Sequence, residues 1–300
     1  MKPFLFLVLL LLPPPPVAAQ EIGALTFLEG TLRVIRDTTV LQGTEGMRLH
    51  QGDIIESSDP GFAQLEFAGG TTVALGASTR LFLFSHPRGK MGDKANPAQL
   101  VLLSGWLKGE TAVNGGPYRY ASPLLAAATK DGTVVLHATA QATDIFIESG
   151  SVSIAEVRPN GNGGQSVGAK AGQFFSRHAG KNLTNNPRPT SAFIESVPRP
   201  FRDTLPSRLS RFGKPVEPRH DHEVTYPEIQ PWLNIGQTWR RGFVERFQPR
   251  LKDAEFRRAL EDHLNNHPEW DPVLHPEKHL PTPPPTPATN TDSPPGRYPR

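Results

Sequence analysis

The chain has 300 residues, no cysteine, and a formal net charge of +3 from 32 basic and 29 acidic residues. The absence of cysteine excludes disulfides, a lipid-modified cysteine and a cysteine nucleophile. The length is sufficient for one large domain or two modest ones. Acidic and basic residues alternate through most of the chain, and no basic face with interleaved aromatic residues is evident, so no nucleic-acid partner is expected.

The first nineteen residues have the pattern of a secretory signal peptide. Lys2 is followed by an apolar run over 4–12, and Val17-Ala18-Ala19 supplies small residues before a predicted cleavage site near Ala19/Gln20. An uncleaved anchor is disfavoured because this run is shorter than the ~20 residues that span a bilayer. No later segment is apolar enough to cross a membrane, so the mature chain is expected outside the cytoplasm without a membrane span. Without disulfides, such a chain depends on core burial for its stability.

From about Ile22 to Arg177 the sequence alternates between apolar and polar residues in short runs. The runs are residues 31–36, 63–67, 72–75, 80–84, 99–103, 133–136, 144–147 and 151–154. Alternation with a period of two predicts strands with one buried face, as in antiparallel sheets or solenoids.

Glycines punctuate these runs at irregular intervals. The predicted turn residues, none of them catalytic, are Gly30, Gly52, Asp53, Gly70, Gly105, Gly132 and Gly150. Glycine permits the positive φ and close backbone approach that sharp turns require. Asp53, directly after Gly52, is expected to accept hydrogen bonds from the amides of its own turn. The pattern predicts a mainly β fold, either a β-solenoid or β-roll of short strands or, alternatively, a β-sandwich, followed by a small α-helical segment.

The remainder of the chain divides into three segments. Residues 181–231 are rich in Pro, Arg, Asn and His and predict an extended linker. Residues 232–280 predict a helical accessory segment. Residues 281–300 contain mainly Pro, Thr, Asn and Ser, a composition typical of a disordered tail.

Two short helices are predicted within 232–280. One spans 239–247, with aromatic residues at i, i+4 and i+8. Asp253 is the predicted N-cap of the second, which extends to about 265–266. Alone they would bury too little apolar surface to be stable, so the β-region is the nearest surface on which they could pack.

The sequence predicts no catalytic residue, metal site or cofactor. It has no Gly-x-Ser-x-Gly elbow and no His-Glu-x-x-His motif, and Gly161-Asn162-Gly163-Gly164 reads as a hairpin tip rather than a phosphate loop. The one metal-like cluster is the run from His220 to Glu223, for which a solvated polar turn is favoured over a metal site. Three of the four tryptophans, Trp232, Trp239 and Trp270, lie in the C-terminal segment, where helix packing explains them without a stacked sugar.

Several segments in the β-region, taken in order, resemble the FecR domain, an exported β-module of iron-uptake regulators and of stand-alone periplasmic proteins. These segments are 28–34 (LEGTLRV), 49–57 (LHQGDIIES), 63–67 (AQLEF), 70–75 (GTTVAL), 78–81 (STRL), 103–107 (LSGWL), 122–123 (SP), 149–154 (SGSVSI) and 171–173 (AGQ). The resemblance therefore covers the segment 20–180. Gly69 stands where the family usually has an acid, and Lys130 to Thr133 replaces an Arg-Gly-Thr turn.

The resemblance implies a periplasmic, non-enzymatic binding or scaffold module that engages an envelope protein or peptidoglycan. Regulators of the family carry a cytoplasmic anti-sigma segment and a membrane helix before the β-domain, whereas here a predicted leader precedes the strands. The alternative is a sensory input module for a separate transmembrane signalling protein. An envelope hydrolase is disfavoured, because no motif places the clustered acids that it would need.

Overall fold

The structure is a computed structural model that describes residues 21–85, 97–159 and 163–279. The predicted signal peptide, the predicted tail and residues 161–162 of the predicted hairpin tip lie outside the described residues. The first eight strands are β1 (Glu21–Glu29), β2 (Leu32–Arg36), β3 (Thr39–Gln42), β4 (Arg48–His50), β5 (Ile54–Ser57), β6 (Phe62–Phe67), β7 (Thr72–Leu75) and β8 (Arg80–Ser85). The following strands are β9 (Ala98–Thr111), β10 (Tyr118–Ala121), β11 (Leu125–Thr129), β12 (Gly132–Ala138), β13 (Ala142–Val157), β14 (Gly163–Lys170), β15 (Phe174–His178), β16 (Thr184–Asn186) and β17 (Arg219–Glu223).

The α-helices all follow β15. They are α1 (Ser191–Ser196), α2 (Tyr226–Leu233), α3 (Gln237–Arg240), α4 (Phe243–Phe247), α5 (Ala254–Asp262) and α6 (Asp271–Leu274). Short 3₁₀ helices lie at Val113–Gly115, Arg199–Arg202, Leu209–Arg211, Gln248–Lys252, Leu264–Asn266, Pro268–Trp270 and Pro276–His279. The prediction of a mainly β protein with C-terminal helices is confirmed. None of the helices in the described part of the chain is long and apolar enough to span a bilayer.

The strands form two sheets that share the long strands β9 and β13. Sheet A has the order β4-β1-β6-β7-β9-β12-β13-β15-β16. Sheet B has the order β17-β3-β2-β5-β8-β9-β10-β11-β13-β14. Strands that bend and pass from one sheet into another form the corners of such arrangements.

The strand pairing does not form a clear solenoid. Among the described strands only the β9–β10 pairing is parallel, and every other pairing is antiparallel. The sequence indicated separate short strands on either side of Gly105 and of Gly150. Instead, each glycine lies within one long strand at its change of sheet, with φ of +93° at Gly105 and +78° at Gly150. A positive φ redirects the strand without ending it.

The largest hydrophobic core lies between the two sheets. Sheet A contributes residues such as Leu25, Leu65 and Leu107, and sheet B contributes Val34 and Leu81, all fully buried. The neighbouring residues along each strand point to the outer faces, as the period of two requires. These outer faces are also covered, and for this reason β6 is buried along its whole length.

Residues 181–219, which we call the strap, run from the edge of sheet A across its outer face to the first residue of β17. Although the sequence predicted an extended linker here, the strap contains β16, α1 and two 3₁₀ helices. Phe193, Phe201 and Leu205 pack against the outward side chains of sheet A, including Phe62 and Phe174. Single apolar anchors separated by proline-rich backbone explain why no periodic pattern was visible.

Two buried charges attach the strap to sheet A. Lys108 Nζ donates hydrogen bonds to the carbonyls of Phe201 (2.8 Å) and Asp203 (2.9 Å), and it pairs with Glu148 at 2.9 Å. The carboxylate of Glu66 accepts hydrogen bonds from Ser207 Oγ (2.7 Å) and from the backbone amides of Arg208 and Leu209. Both anchors bind strap backbone, so they fix the path of the strap.

Glu66 should make the stability of the fold sensitive to acid. Burial raises the pKa of Glu66, but the hydrogen bonds from Ser207, Arg208, Thr26 and Leu209 outweigh it, and the net pKa is lowered. A lowered folded pKa gives stability that is present above the ordinary pKa and lost as the pH falls through the folded value. We therefore expect the difference in unfolding free energy between wild type and Glu66→Gln to narrow below about pH 4.5.

Urea unfolding at a series of pH values measures this difference. Glu29→Gln, at an exposed carboxylate, is the matched control, and its difference from wild type should stay small at every pH. A constant difference for Glu66→Gln across the acid range would contradict the assignment.

The C-terminal helices cover the outer face of sheet B. β17 extends this sheet by pairing with β3, and α2 to α6 then pack on residues such as Ile54, Phe82 and Val101. Trp232, Trp239 and Trp270 are all buried in this layer. Arg246 of α4 fastens it by donating hydrogen bonds to the carbonyls of Ile35 (2.8 Å), Asp37 (2.9 Å) and Gly52 (2.6 Å).

The helices differ in detail from the sequence prediction. The helix predicted over 239–247 is divided into α3 and α4, with Gly242 at the break. Asp253 caps α5, and its carboxylate accepts from the amides of Glu255 and Phe256. α5 ends at Asp262, and a 3₁₀ turn completes the segment that was predicted as helix.

Candidate functional site

A groove of about 820 Å³ lies at the corner where β9 passes from sheet B to sheet A. Five separate stretches line it: the start of β2, the end of β5, the start of β8, the middle of β9 and the end of β12. Its lining includes the side chains of Arg33, Glu56, Arg80, Trp106 and His137. A concave site with a few convergent polar groups is the usual form of a binding site.

The backbone beneath the groove is tightly constrained. Gly105 has so little space that a Cβ there would lie 2.5 Å from the Cα of Thr79. Thr79 Oγ1 accepts a hydrogen bond from the amide of Trp106 (3.0 Å) and donates to its carbonyl (3.2 Å). Ser78, on the rim, has a φ of +50°, which is uncommon for a residue other than glycine. The groove therefore has a rigid base.

A row of charged residues crosses the sheet-B side of the groove. Strand register places Arg33 opposite Glu56, Glu56 opposite Arg80, and Arg80 opposite Ser104. Glu56 is buried, and it pairs with Arg33 at 2.7 Å and with Arg80 at 3.3 Å. Opposite charges on directly facing residues stabilise adjacent strands.

The two arginines of this row differ in how many of their donors are used. Arg33 also pairs with Glu228 of α2 at 2.9 Å, so both of its terminal nitrogens have acidic partners. Arg80 contacts Glu56 through Nε, and its two terminal nitrogens have no hydrogen-bond partner among the described residues. Its side chain is 44% exposed. These nitrogens can therefore take a planar anion such as a carboxylate in two parallel hydrogen bonds.

An aromatic stack forms the sheet-A side of the groove. The Trp106 and His137 rings lie opposite each other on β9 and β12, with centroids 4.2 Å apart and planes inclined by 14°. Burial lowers the pKa of His137, and the charge of Asp144 opposes this only in part. The imidazole is therefore neutral at neutral pH and presents a flat, weakly polar surface.

Both outer layers of the protein contact this groove. Trp232 of α2 donates from Nε1 to Glu56 at 3.3 Å, and Phe193 of the strap packs against Trp106 with ring centroids 5.3 Å apart. The C-terminal half of the chain thus contacts both the charged row and the aromatic stack.

Two acids, Glu56 and Asp59, line the groove. The carboxylate of Glu56 contacts two guanidinium groups and an indole N–H. Asp59 is exposed on the rim, where its carboxylate is 3.5 Å from Ser78 Oγ.

The predicted turn residues are distributed over the fold. The φ values are +80° at Gly30, +93° at Gly52, +87° at Gly70, +93° at Gly105, +124° at Gly132 and +78° at Gly150. Gly105 alone among them lines the groove. Gly132 and Gly150 lie opposite each other in the β12–β13 pairing.

Asp53 lies in a smaller cavity of about 310 Å³ beneath α4. Its carboxylate accepts a hydrogen bond from the amide of His50 (2.8 Å), within its own turn. It also makes two hydrogen bonds with the guanidinium of Arg36, at 2.9 and 2.7 Å, which the sequence did not indicate. Because Arg246 binds the carbonyl of Gly52, this turn supports the helical layer.

The residues from His220 to Glu223 lie on β17 rather than in a turn. His222 Nε2 is 2.9 Å from Glu228 Oε1, and His220 is 3.9 Å from Glu223. The described residues contain no group of three or more His, Asp or Glu side chains that could hold a metal ion. In this structure the cluster contributes polar side-chain contacts at the edge of sheet B.

Sequence reasoning did not single out Arg33, Glu56, Arg80 or His137. Each occupies an outward position of an alternating strand, where a polar residue is ordinary. Only the strand register places the first three in one row. The only local sign of these residues in the sequence is that they alternate with apolar neighbours. The same alternation occurs on any solvated strand surface, so it does not identify a binding site.

Comparison with known proteins assigns no family. No family model matches the chain, and no curated protein matches it. Two solved structures, both described as a "putative anti-sigma factor" from Parabacteroides distasonis, are weakly similar. One is 10% identical with a TM-score of 0.38 and aligns over 48% of this chain and 65% of that one. The other is 11% identical with a TM-score of 0.36 and aligns over 45% and 59%.

The matched part thus spans less than two thirds of either solved chain. The similarity to the FecR domain therefore stays a prediction from sequence.

Proposed function

We propose that this protein is a non-enzymatic binding module of the cell envelope, which holds a segment of an envelope protein or of peptidoglycan in the groove. The observation that carries the proposal is the pair of open terminal nitrogens on Arg80, which lie in a rigid groove beside the Trp106–His137 stack. A guanidinium that is already oriented by a buried carboxylate loses little freedom when it binds a ligand.

The chemistry of the groove favours a ligand that carries a carboxylate next to a flat or apolar group. Arg80 would bind the carboxylate, and the Trp106–His137 stack would contact the adjoining group. Acidic protein segments and the peptide stems of peptidoglycan both carry such carboxylates. The periplasmic location belongs to the proposal and is supported by the predicted leader.

A sensory input module for a separate transmembrane signalling protein is the alternative. It would use the same groove, but binding would then alter a contact with a separate membrane protein. Cross-linking in intact cells, with and without the groove ligand, distinguishes the two, because only the sensory module changes its membrane partner on binding.

Arg80→Gln should weaken ligand binding at least tenfold, equivalent to about 1.4 kcal/mol. The glutamine cannot form the paired charged hydrogen bonds of the guanidinium. Sedimentation with purified peptidoglycan, and binding to peptides with and without acidic residues, measure the effect. Arg241→Gln, at an exposed arginine of the helical layer, is the matched control and should bind as wild type does.

A photo-reactive residue locates the bound partner. Placed at Thr139 on the groove rim, it should cross-link the partner, whereas placed at Val113, which is 77% exposed and does not line the groove, it should not. The proposal is wrong if neither peptidoglycan nor acidic peptide binds, or if Arg80→Gln and wild type bind equally.

A further inference from the structure

The strap is a strongly basic segment of the described chain. It contains eight basic residues and three acidic ones, a net charge of +5, whereas the whole chain carries +3. The rest of the chain is therefore slightly acidic, with a net charge of −2. The charge of the whole chain is almost balanced, but its excess of positive charge is concentrated in the strap.

Seven of the eight cations are exposed and have no ion pair with any described residue. They are Lys181, Arg188, Arg199, Arg202, Arg211, Lys214 and Arg219. The eighth, Arg208, lies over the Phe27 ring at 4.4 Å. The buried anchors account for this arrangement, because Phe193, Phe201 and Leu205 point toward sheet A and leave the charged neighbours outside.

The acids of the sheet beneath do not neutralise these cations. Glu66 binds strap hydroxyl and amide groups, Glu148 pairs with Lys108, and Glu110 accepts from the amide of Leu205 at 3.1 Å. The strap charges consequently face solvent without a counter-charge from the fold.

The strap also exposes apolar side chains. Among the described residues, four large hydrophobic side chains are exposed, and two of them are strap residues: Ile194 at 54% and Val216 at 40%. Exposed cations with apolar side chains among them are the composition of surfaces that bind membranes peripherally.

We infer that the strap is a docking surface for a membrane with anionic lipid headgroups. The strap cations do not line the groove or the second cavity, so they present a surface rather than a pocket for one phosphate. A single-stranded nucleic acid would require exposed aromatic rings for base stacking, but Phe193 and Phe201 are buried. The inference is independent of the groove and places the groove near a membrane surface.

Vesicle flotation tests the inference with the full chain. Wild type should bind vesicles that contain phosphatidylglycerol, should bind pure phosphatidylcholine vesicles weakly, and should dissociate as salt is raised. The variant R199Q/R202Q/R211Q/K214Q should lose at least tenfold in partitioning, because each cation near an anionic surface contributes to binding. The control R158Q/R241Q/K252Q/R258Q removes four exposed cations outside the strap and should stay within about twofold of wild type.

Two further measurements keep the outcome unambiguous. Ile194→Ser should reduce vesicle binding without affecting binding to the soluble polyanion heparin, and Arg80→Gln should leave vesicle binding unchanged. The inference is overturned if wild type does not bind anionic vesicles, if both fourfold variants lose binding equally, or if heparin competes fully and Ile194→Ser has no effect. Circular dichroism confirms that each variant is folded.

Discussion

Replacing Lys108 with Met should lower the free energy of unfolding by about 3–5 kcal/mol, the usual cost of removing one partner of a buried ion pair. Lys108 is only 2% exposed, and its ammonium group serves two strap carbonyls and Glu148 at 2.8–2.9 Å. Methionine keeps the aliphatic length but leaves these acceptors unpaired. Urea unfolding followed by tryptophan fluorescence measures the loss.

The same substitution should release the strap before the sheets unfold. Trypsin cleaves after Arg and Lys except before Pro, so cleavage after Arg202 and Arg211 should be faster in Lys108→Met than in wild type. Lys252→Met, at an exposed lysine, is the matched control and should change stability by less than about 0.5 kcal/mol. Unchanged stability together with unchanged cleavage would show that Lys108 does not hold the strap.

The strands of the β-region could be predicted because their signal is local. Alternation in Leu32 to Arg36, for example, follows directly from one face packing in the inner core. The way in which these strands join could not be predicted. A glycine that ends a strand and a glycine that bends one look alike in sequence, so Gly105 and Gly150 were expected between strands rather than within β9 and β13.

The strap could not be predicted as a packed layer because its contacts are not local. Lys108 meets Phe201 and Asp203 across more than ninety residues, and Glu66 meets Ser207 across a still longer separation. Proline-rich sequence gives no periodicity from which a buried face could be recognised. Asp253, in contrast, was predicted as a helix cap, because capping needs only the next three residues.

The candidate groove could not be predicted from sequence for the same reason, because its contacts are not local. Its charged row requires β2, β5 and β8 in their observed register, and its aromatic stack requires β9 beside β12. A shift of one residue in the β2–β5 or the β5–β8 pairing would turn Arg33 or Arg80 to the opposite face. The groove is thus a property of the register, and it lies where the strap and the helical layer both contact the corner of the sheets.

Gly105→Ala should lower the free energy of unfolding by about 3 kcal/mol, more than the same substitution at Gly172 or Gly168. The left-handed conformation at +93° costs a residue with a Cβ about 1–2 kcal/mol, and the overlap 2.5 Å from the Thr79 Cα adds a packing cost of about 1–3 kcal/mol. Valine at this position, with a larger side chain, should lower the melting temperature further. The loss should also weaken ligand binding, since Gly105 forms the base of the groove.

Substitutions at two other glycines separate the cost of backbone strain from the cost of steric overlap. Gly172 has a φ of +87° with nothing within 4 Å of an added Cβ, so Gly172→Ala should cost about 1 kcal/mol, from backbone strain alone. Gly168 has neither a positive φ nor a neighbour within 4 Å, so Gly168→Ala should be neutral or stabilising by up to about 1 kcal/mol. Equal effects at Gly105 and Gly172 would mean that Thr79 can move aside. In that case the corner beneath the groove would be adaptable rather than rigid, and Arg80 would not be pre-positioned for a ligand.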